Sequence, residues 1–460
     1  MLVDRVASPR LFPVLLLAGL IIRAAGLPLR GTVDMDVWKL WSYAGSINVS
    51  TMYGVGGDPP ERAVLTWGHR HGTVEYPPAT LFALSAVGRA YRAIDPSYTD
   101  GVGLTVAIKL SILLGDVALC LALWGLMRRY SAAAGRTAVL FYWLNPAVIL
   151  DGAVLGYLDP WLGALTIVSL LALERGAFAW CGAALALTFL TKLQVVLILP
   201  AIGLALVRRA GRRGWWKAAL AASLAACATA AVVVAPFVRI GALANLLQGA
   251  GRAFHHDMLS AEAANLWWIV TWLLRASYAV HDLGAWTAWT MPVRILGISR
   301  AVALGYPNAR VIGTVLAGSV MLWAFWRARR APLPVLLAAG ACAVHGYTLL
   351  SVQVHENHFY LALPLVAAAG AMLPRMRAPY VLASAVCLLN LLLFQGIGRD
   401  FPLPPRGSTI IDATVLLSFI NIGAFIWHAR RFSGVCVSEQ TAGPAAVDGN
   451  RDARHERRGG

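Results

Sequence analysis

Long apolar runs joined by short basic links constrain this chain more than any other feature. Mainly apolar stretches recur at 11–27, 104–127, 137–150, 160–173, 177–191, 193–207, 218–236, 310–326, 334–350, 359–373, 380–394 and 410–427. A spanning helix needs about 20 such residues, fewer where its ends snorkel, so the pattern predicts about twelve crossings. Of the 460 residues, 58% are hydrophobic and 13% charged, with a mean hydropathy of +0.65. That is more apolar surface than a soluble domain can bury. The expected fold class is therefore all-α, a polytopic transmembrane helix bundle. The first run has no small-residue cleavage site behind it and reads as a retained anchor, not a signal peptide.

Charge predicts the orientation. A net charge of +17 and a pI near 10.1 could suggest nucleic acid. The basic residues, however, gather in the C-terminal tail and in the links Arg128-Arg129, Arg208 to Lys217, Arg327 to Arg330 and Arg375 to Arg377. Membrane orientation requires that distribution, so the expected surroundings are membrane lipids and not nucleic acid. With these links in the cytoplasm, both termini lie there too. Asp34, the 151–159 segment, Lys192, residues 255–257 and the motif around His355 then share the opposite side. The six cysteines are scattered, with no Cys-x-x-Cys pair, which predicts neither a zinc site nor a disulfide framework.

Two long segments interrupt the apolar pattern, a first loop at 28–103 and a second at 237–308. Within the first, a short run at 79–91 follows Tyr76-Pro77-Pro78 and reads as an interfacial amphipathic helix begun by proline. The second carries Trp267, Trp268, Trp272, Trp286 and Trp289, and forms either interfacial helices or an extra pair of crossings. From Gly434 the chain turns polar, predicting a disordered cytoplasmic tail over 434–460 behind a membrane domain of 1–433.

Several constellations carry chemistry. Asp34 and Asp36 follow the first apolar run, where a carboxylate is costly unless used. Positions i and i+2 do not share a helix face. Asp34 can thus point into a cavity while Asp36 caps or solvates the first turn. The aromatic stretch from Trp38 to Tyr53, with Trp41, suits sugar stacking, although an interfacial belt explains most of its members. Glu75, before Tyr76, either caps a turn or binds a hydroxylated substrate. Lys109 and Asp116 share one face of one span, about 10 Å apart, as a structural pair or as part of a polar cavity. Arg92, Lys109 and Lys192 lie near one membrane surface, where cations hold a lipid phosphate or snorkel. Asp151 and Asp159 bracket a turn after Asn145-Pro146, and one of them can contact substrate. In His355-Glu356-Asn357-His358 the spacing is wrong for a zinc protease, which needs two residues between Glu and the second His. A histidine there can donate to a phosphate or stay neutral in a packed turn.

Taken in order, these motifs resemble the GT-C superfamily of polyprenyl-phosphate-sugar-dependent glycosyltransferases. The likeness is strongest to the dolichyl-phosphate-glucose α-1,3-glucosyltransferases. It rests on Asp34-Met-Asp36 with Trp41, Glu75-Tyr-Pro-Pro78, the Lys109 to Asp116 span, Asn145-Pro146, Thr191-Lys-Leu-Gln194, Ala264-Asn-Leu-Trp267 and Gln353-Val-His-Glu356. Glu75 stands where the family has Asp, and Tyr157-Leu-Asp159 replaces its loop ending. The resemblance implies that Asp34 is the catalytic base and that His355 lies near the donor phosphate, with Lys192, Lys109 and Arg92 as further phosphate or lipid contacts. Asp36, Trp41, Glu75, Tyr76, Asp159, Glu356 and His358 would then line the sugar and acceptor pockets. The implied reaction is inverting transfer of a hexose, glucose or mannose, from a polyprenyl-phosphate donor to a lipid-linked or envelope glycan acceptor. It would take place on the non-cytoplasmic side with no cofactor. The Ala/Arg-rich composition and short loops fit a bacterial relative. Two rival readings are a metal-dependent transferase using Asp34-x-Asp36, and a transporter or flippase of lipid-linked sugars, which should show inverted repeats and paired broken helices.

Overall fold

The computed structural model describes residues 8–56, 63–252, 258–280, 308–399, 401 and 411–441 of the chain. Along the first half run α1 (Leu11–Gly26), α2 (Asp34–Asn48), α3 (Pro78–Ile94), α4 (Val102–Met127), α5 (Ala132–Trp143), α6 (Pro146–Leu155), α7 (Asp159–Glu174) and α8 (Phe178–Thr191). The second half holds α9 (Leu199–Arg239, two helical stretches joined by a kink at Gly211, φ +72°), α10 (Leu243–Arg252), α11 (Leu266–Val280), α12 (Ala309–Ala328), α13 (Leu333–Leu350), α14 (Ala362–Met372), α15 (Arg377–Gln395) and α16 (Ala413–Thr441). Between α2 and α3 lies a small antiparallel hairpin, β1 (Leu65–Trp67) against β2 (Arg70–Gly72).

Among the described residues the fold is all-α apart from that hairpin, and the chain is a multi-pass membrane protein. Among the described residues six helices are long and apolar enough to cross a bilayer, and seven if the bent pair α5–α6 counts as one span. Helices α1 and α8 are apolar but shorter. Helix α16 continues to Thr441, so residues 434–441 of the expected tail are helical. Residues 253–257 with His255 and Asp257, residues 281–307 with Trp286 and Trp289, and residues 442–460 lie outside the described residues.

The α5–α6 break follows from Asn145-Pro146. Proline has no N–H and is tolerated only in a helix's first turn, so a new helix starts there, bent 52° from α5. The Asn145 side chain accepts from the Ala147 amide at 3.0 Å and donates to Ser384 Oγ at 2.8 Å. It thus caps the new helix and ties it to α15. Helix α6 ends at Gly156, whose φ of +86° reverses the chain into α7.

Among the described residues most charges inside the bundle are engaged, although both carboxylate oxygens of the buried Asp151 lack a hydrogen-bond partner. Arg23 of α1 meets Asp116 of α4 at 2.9 Å, both buried. Tyr142 of α5 also donates to Asp116, and Arg23 donates to the Trp143 carbonyl at 2.6 Å. Lys109 does not pair with Asp116. Its ammonium donates to the carbonyls of Gly26, Leu29 and Val154 at 3.3, 2.6 and 2.7 Å. An ammonium has three hydrogens, so Lys109 ties α4 to α1 and α6 and has none left for the expected phosphate contact.

The basic links meet at one end of the bundle. Arg129 and Arg209 both donate to the Glu174 carbonyl, at 3.2 and 3.0 Å, and Arg208 donates to Ala331 at 2.6 Å. Elsewhere, the first loop folds as two packed helices. Leu81, Leu84, Ser85 and Gly88 form the buried stripe of α3, which lies against α2. A Cβ on Gly88 would sit 2.0 Å from the Ser42 carbonyl oxygen, so only glycine allows this approach. Gly88→Ala should push α3 off α2 and cost about 1–3 kcal/mol, seen as a lower thermal midpoint in detergent.

Candidate active site

The N-terminus of α2 is stapled to the turn after α6. Gly31, at φ +78°, lets Thr32 donate to the Leu155 carbonyl at 3.0 Å. Trp38 Nε1 donates to the Gly156 carbonyl at 3.1 Å. Two residues apart on a helix is about 200° of rotation, and the two acids face different surroundings. Asp36 pairs with Arg70 of the hairpin at 2.9 Å and with Arg399. It sits in the first turn of α2, and its two ion pairs make it a clamp that holds the hairpin and the 396–399 segment over α2.

Asp34 points inward. Protein surrounds it on nearly all sides, yet its side chain stays partly accessible, the condition of a group on a cavity wall. Among the described residues no hydrogen bond or ion pair holds its carboxylate. Burial raises its pKa to about 6; the Lys192 ammonium opposes that rise, while Asp159 and Glu262 add to it. A carboxylate so placed is a base that changes state near neutral pH.

Lys192 ends α8 in extended conformation. Its Nζ donates to Asp159 Oδ1 at 2.6 Å, and Asn357 Nδ2 donates to Asp159 Oδ2 at 2.8 Å. Burial alone would lower the Lys192 pKa, but Asp159 more than offsets this and the pKa is raised, keeping the cation. Only one of its three hydrogens is taken up by these contacts, so two can meet a ligand. Asp159 is fully buried, is bonded on both oxygens and orients Lys192. Thr80 Oγ1 donates to the Thr191 carbonyl at 2.9 Å and fixes α3 beside this pair.

The third wall comes from the chain after α13. Gln353 N donates to the Leu259 carbonyl and Ala261 N to that of Val354, both at 3.0 Å. Residues 259–261 therefore pair with 353–355, ahead of a 3₁₀ turn over Glu356–Leu361. The His355 and His358 rings lie 5.3 Å apart, and His358 stacks on Tyr347 at 6.2 Å. Burial, then the neighbouring His355 and Lys192, hold His358 well below its usual pKa, so it is neutral. Its Nδ1 is buried with no hydrogen-bond partner. Glu356 accepts from Tyr157 OH, and burial lifts its pKa to about 8, with the nearby Glu262 and Asp34 adding to the rise.

Tyr76 shares the cavity wall, and its ionisation is disfavoured first by burial and then by its charged neighbours Asp34, Asp159 and Glu356. Trp38 and Trp41 meet it edge-on at 5.2 and 5.7 Å. Trp41 is only 2% exposed. It therefore braces Tyr76 from inside the fold. Glu75 lies half-buried just ahead of the prolines. Arg92 is elsewhere. It donates to Ser46 Oγ at 3.1 Å and lies over Tyr43 and Tyr98. Twelve helical residues beyond Thr80 is about 18 Å, so Arg92 supports the outer loop and does not join Lys192.

Asp34, Lys192, His355 and His358 thus come together from three separate elements. Sequence reasoning missed Glu262, Asn357, Tyr157 and Tyr347. Asn357 and Tyr157 sat inside quoted motifs, but nothing in their spacing marked them as partners of Asp159 and Glu356. Among the described residues no group of three or more His, Cys, Asp or Glu is arranged to hold a metal, and the divergence of Asp34 from Asp36 prevents those two from chelating one ion together.

No protein-family model matches the chain, and no curated protein matches it. Among solved structures it is similar to ArnT from Cupriavidus metallidurans, a crystal structure bound to undecaprenyl phosphate. Identity is 14% and the TM-score 0.48, over 95% of this chain and 79% of that one. A likeness that distant assigns no residue a role.

Breaking the Lys192–Asp159 pair should be costly. Asp159→Asn leaves a buried ammonium without its counter-charge, a loss of about 3–5 kcal/mol. Differential scanning fluorimetry in detergent should register it as a clear fall in the thermal midpoint. The paired replacement Lys192→Met with Asp159→Leu should regain most of that loss.

Proposed function

We propose that this chain is a membrane glycosyltransferase of GT-C type that moves a hexose from a polyprenyl-phosphate donor to a hydroxyl of a glycan or glycolipid acceptor. One observation carries the reading: an accessible, unpartnered carboxylate, Asp34, shares a buried site with a cation that keeps two free hydrogens and with a neutral histidine. A base and a phosphate cradle are the two parts that transfer from a phosphate leaving group requires.

In this mechanism the acceptor hydroxyl oxygen attacks the anomeric carbon and forms the new glycosidic bond. The bond from that carbon to the phosphate oxygen breaks, and its electron pair leaves with the polyprenyl phosphate. The hydroxyl proton passes to Asp34. Charge develops on the leaving oxygen, where Lys192 and the imidazoles of His355 and His358 donate hydrogen bonds. A phosphate needs no general acid to depart. With a single base and no nucleophilic carboxylate, configuration inverts, as in single-displacement glycosyl transfer. The basic links favour a cytoplasmic placement of their end of the bundle and of both termini, so transfer would occur on the non-cytoplasmic side. The motif order favours the dolichyl-phosphate-glucose type of donor, with glucose or mannose as the hexose.

A positioned base contributes roughly 10²–10⁴-fold, so Asp34→Asn should lower turnover by about that factor while leaving the thermal midpoint near the parent's. Near-normal transfer by that variant in proteoliposomes would sink the assignment. The pH dependence has a definite sign. Asp34 works ionised, so the rate should rise with pH through about 6 and fall as its carboxylate protonates below. Turnover measured from pH 5 to 8 checks this, and the same assay with EDTA tests the metal-dependent rival.

A further inference from the structure

Among the described residues, three other than glycine have a positive φ: Tyr98, Glu262 and Gln353. Two of these sit on one short paired segment beside the site. Glu262, at φ +64°, directly follows the paired stretch 259–261, and Gln353, at φ +61°, opens the stretch it pairs with. Side chains with a Cβ rarely adopt this region, and where they do the surroundings over-determine it, often at ligand clamps. Glycine would serve the backbone at both positions without strain. The chain instead holds a carboxylate and a carboxamide.

The surroundings that impose the strain are well defined. Ala264 N donates to Asn390 Oδ1 at 2.7 Å, and Asn421 donates to the Ala264 carbonyl at 2.8 Å. Gln395 Nε2 donates to Glu262 Oε2 at 2.9 Å and sets the direction of that carboxylate. Glu262 is partly accessible, and its neighbour Ala261 bridges to His355, which places it beside the site. Gln353 stands two residues before His355, and its Nε2 is buried without a hydrogen-bond partner. A carboxylate accepts from two hydroxyls, while a carboxamide both accepts and donates. Together they match the alternating hydroxyls of a sugar ring.

We propose that Glu262 and Gln353 form a sugar-hydroxyl subsite that reads the transferred hexose and decides which epimer is accepted. This rests on the reading of the chain as a polyprenyl-phosphate-sugar transferase. The imposed backbone gives each group one direction, and a site built to hydrogen-bond a given hydroxyl strongly rejects a sugar that lacks or misplaces it.

The test uses the full chain in proteoliposomes with polyprenyl-phosphate-linked glucose, mannose and galactose as donors, and bare polyprenyl phosphate as a competitive inhibitor. Glu262→Gly and Gln353→Gly relieve the backbone, so the folded protein should keep or raise its thermal midpoint. Each should raise KM for the preferred donor about tenfold or more and reduce discrimination between epimeric donors by a similar factor. The inhibition constant of bare polyprenyl phosphate should stay at the parent value. Parent-like KM and discrimination in both variants would overturn the subsite, as would an equal loss of affinity for the bare lipid phosphate, the mark of a general support. A parent protein that used none of the donors would instead overturn the transferase reading and the subsite with it.

Discussion

The Lys192–Asp159 ion pair is the constraint on which the site depends. A buried ammonium is costly unless a counter-charge or several acceptors lie in contact with it. Asp159 supplies the charge from the start of α7, and Asn357 holds its second oxygen from the 3₁₀ turn after α13. That single requirement brings together three parts of the chain, two of them 33 residues apart and the third 198 residues from Asp159. It also fixes the electrostatics across the cavity, where Lys192 limits how far burial can raise Asp34.

Around this pair the protein separates structural cations from available ones. Arg23 and Lys109 lie inside the bundle with their hydrogens directed to Asp116 and to backbone carbonyls. They hold α1, α4 and α6 in register. Arg70 and Arg399 grip Asp36 on the outer side of α2. Lys192 alone among the expected phosphate cations keeps hydrogens for a ligand while sitting beside an accessible acid. The same separation applies to the acids: Asp36, Asp116 and Asp159 are bonded, and Asp34 is not.

Much of the fold was legible because hydropathy acts locally. Apolar runs predicted the long helices, Pro77-Pro78 predicted the start of α3, and the i, i+2 spacing predicted that Asp34 and Asp36 would diverge. Pair identity was not legible. Lys109 and Asp116 share a helix face, and sequence alone suggests they pair. Each found a better partner on another helix, the acid with Arg23 and the lysine with carbonyls left open near the ends of α1 and α6. Trp41 looked like a stacking surface, yet the packing of α2 against Tyr76 turned it inward.

The sequence by itself determined a helical membrane protein, the positions of its breaks and the kind of chemistry its polar residues could perform, because burial and backbone preference act over a few neighbouring residues. Only the tertiary structure decided which charges neutralise one another, which remain available, and that Glu262 and Gln353 are forced into left-handed conformations beside His355. Those outcomes depend on desolvation and on contacts between segments far apart in the chain, and neither is encoded within a local window of sequence.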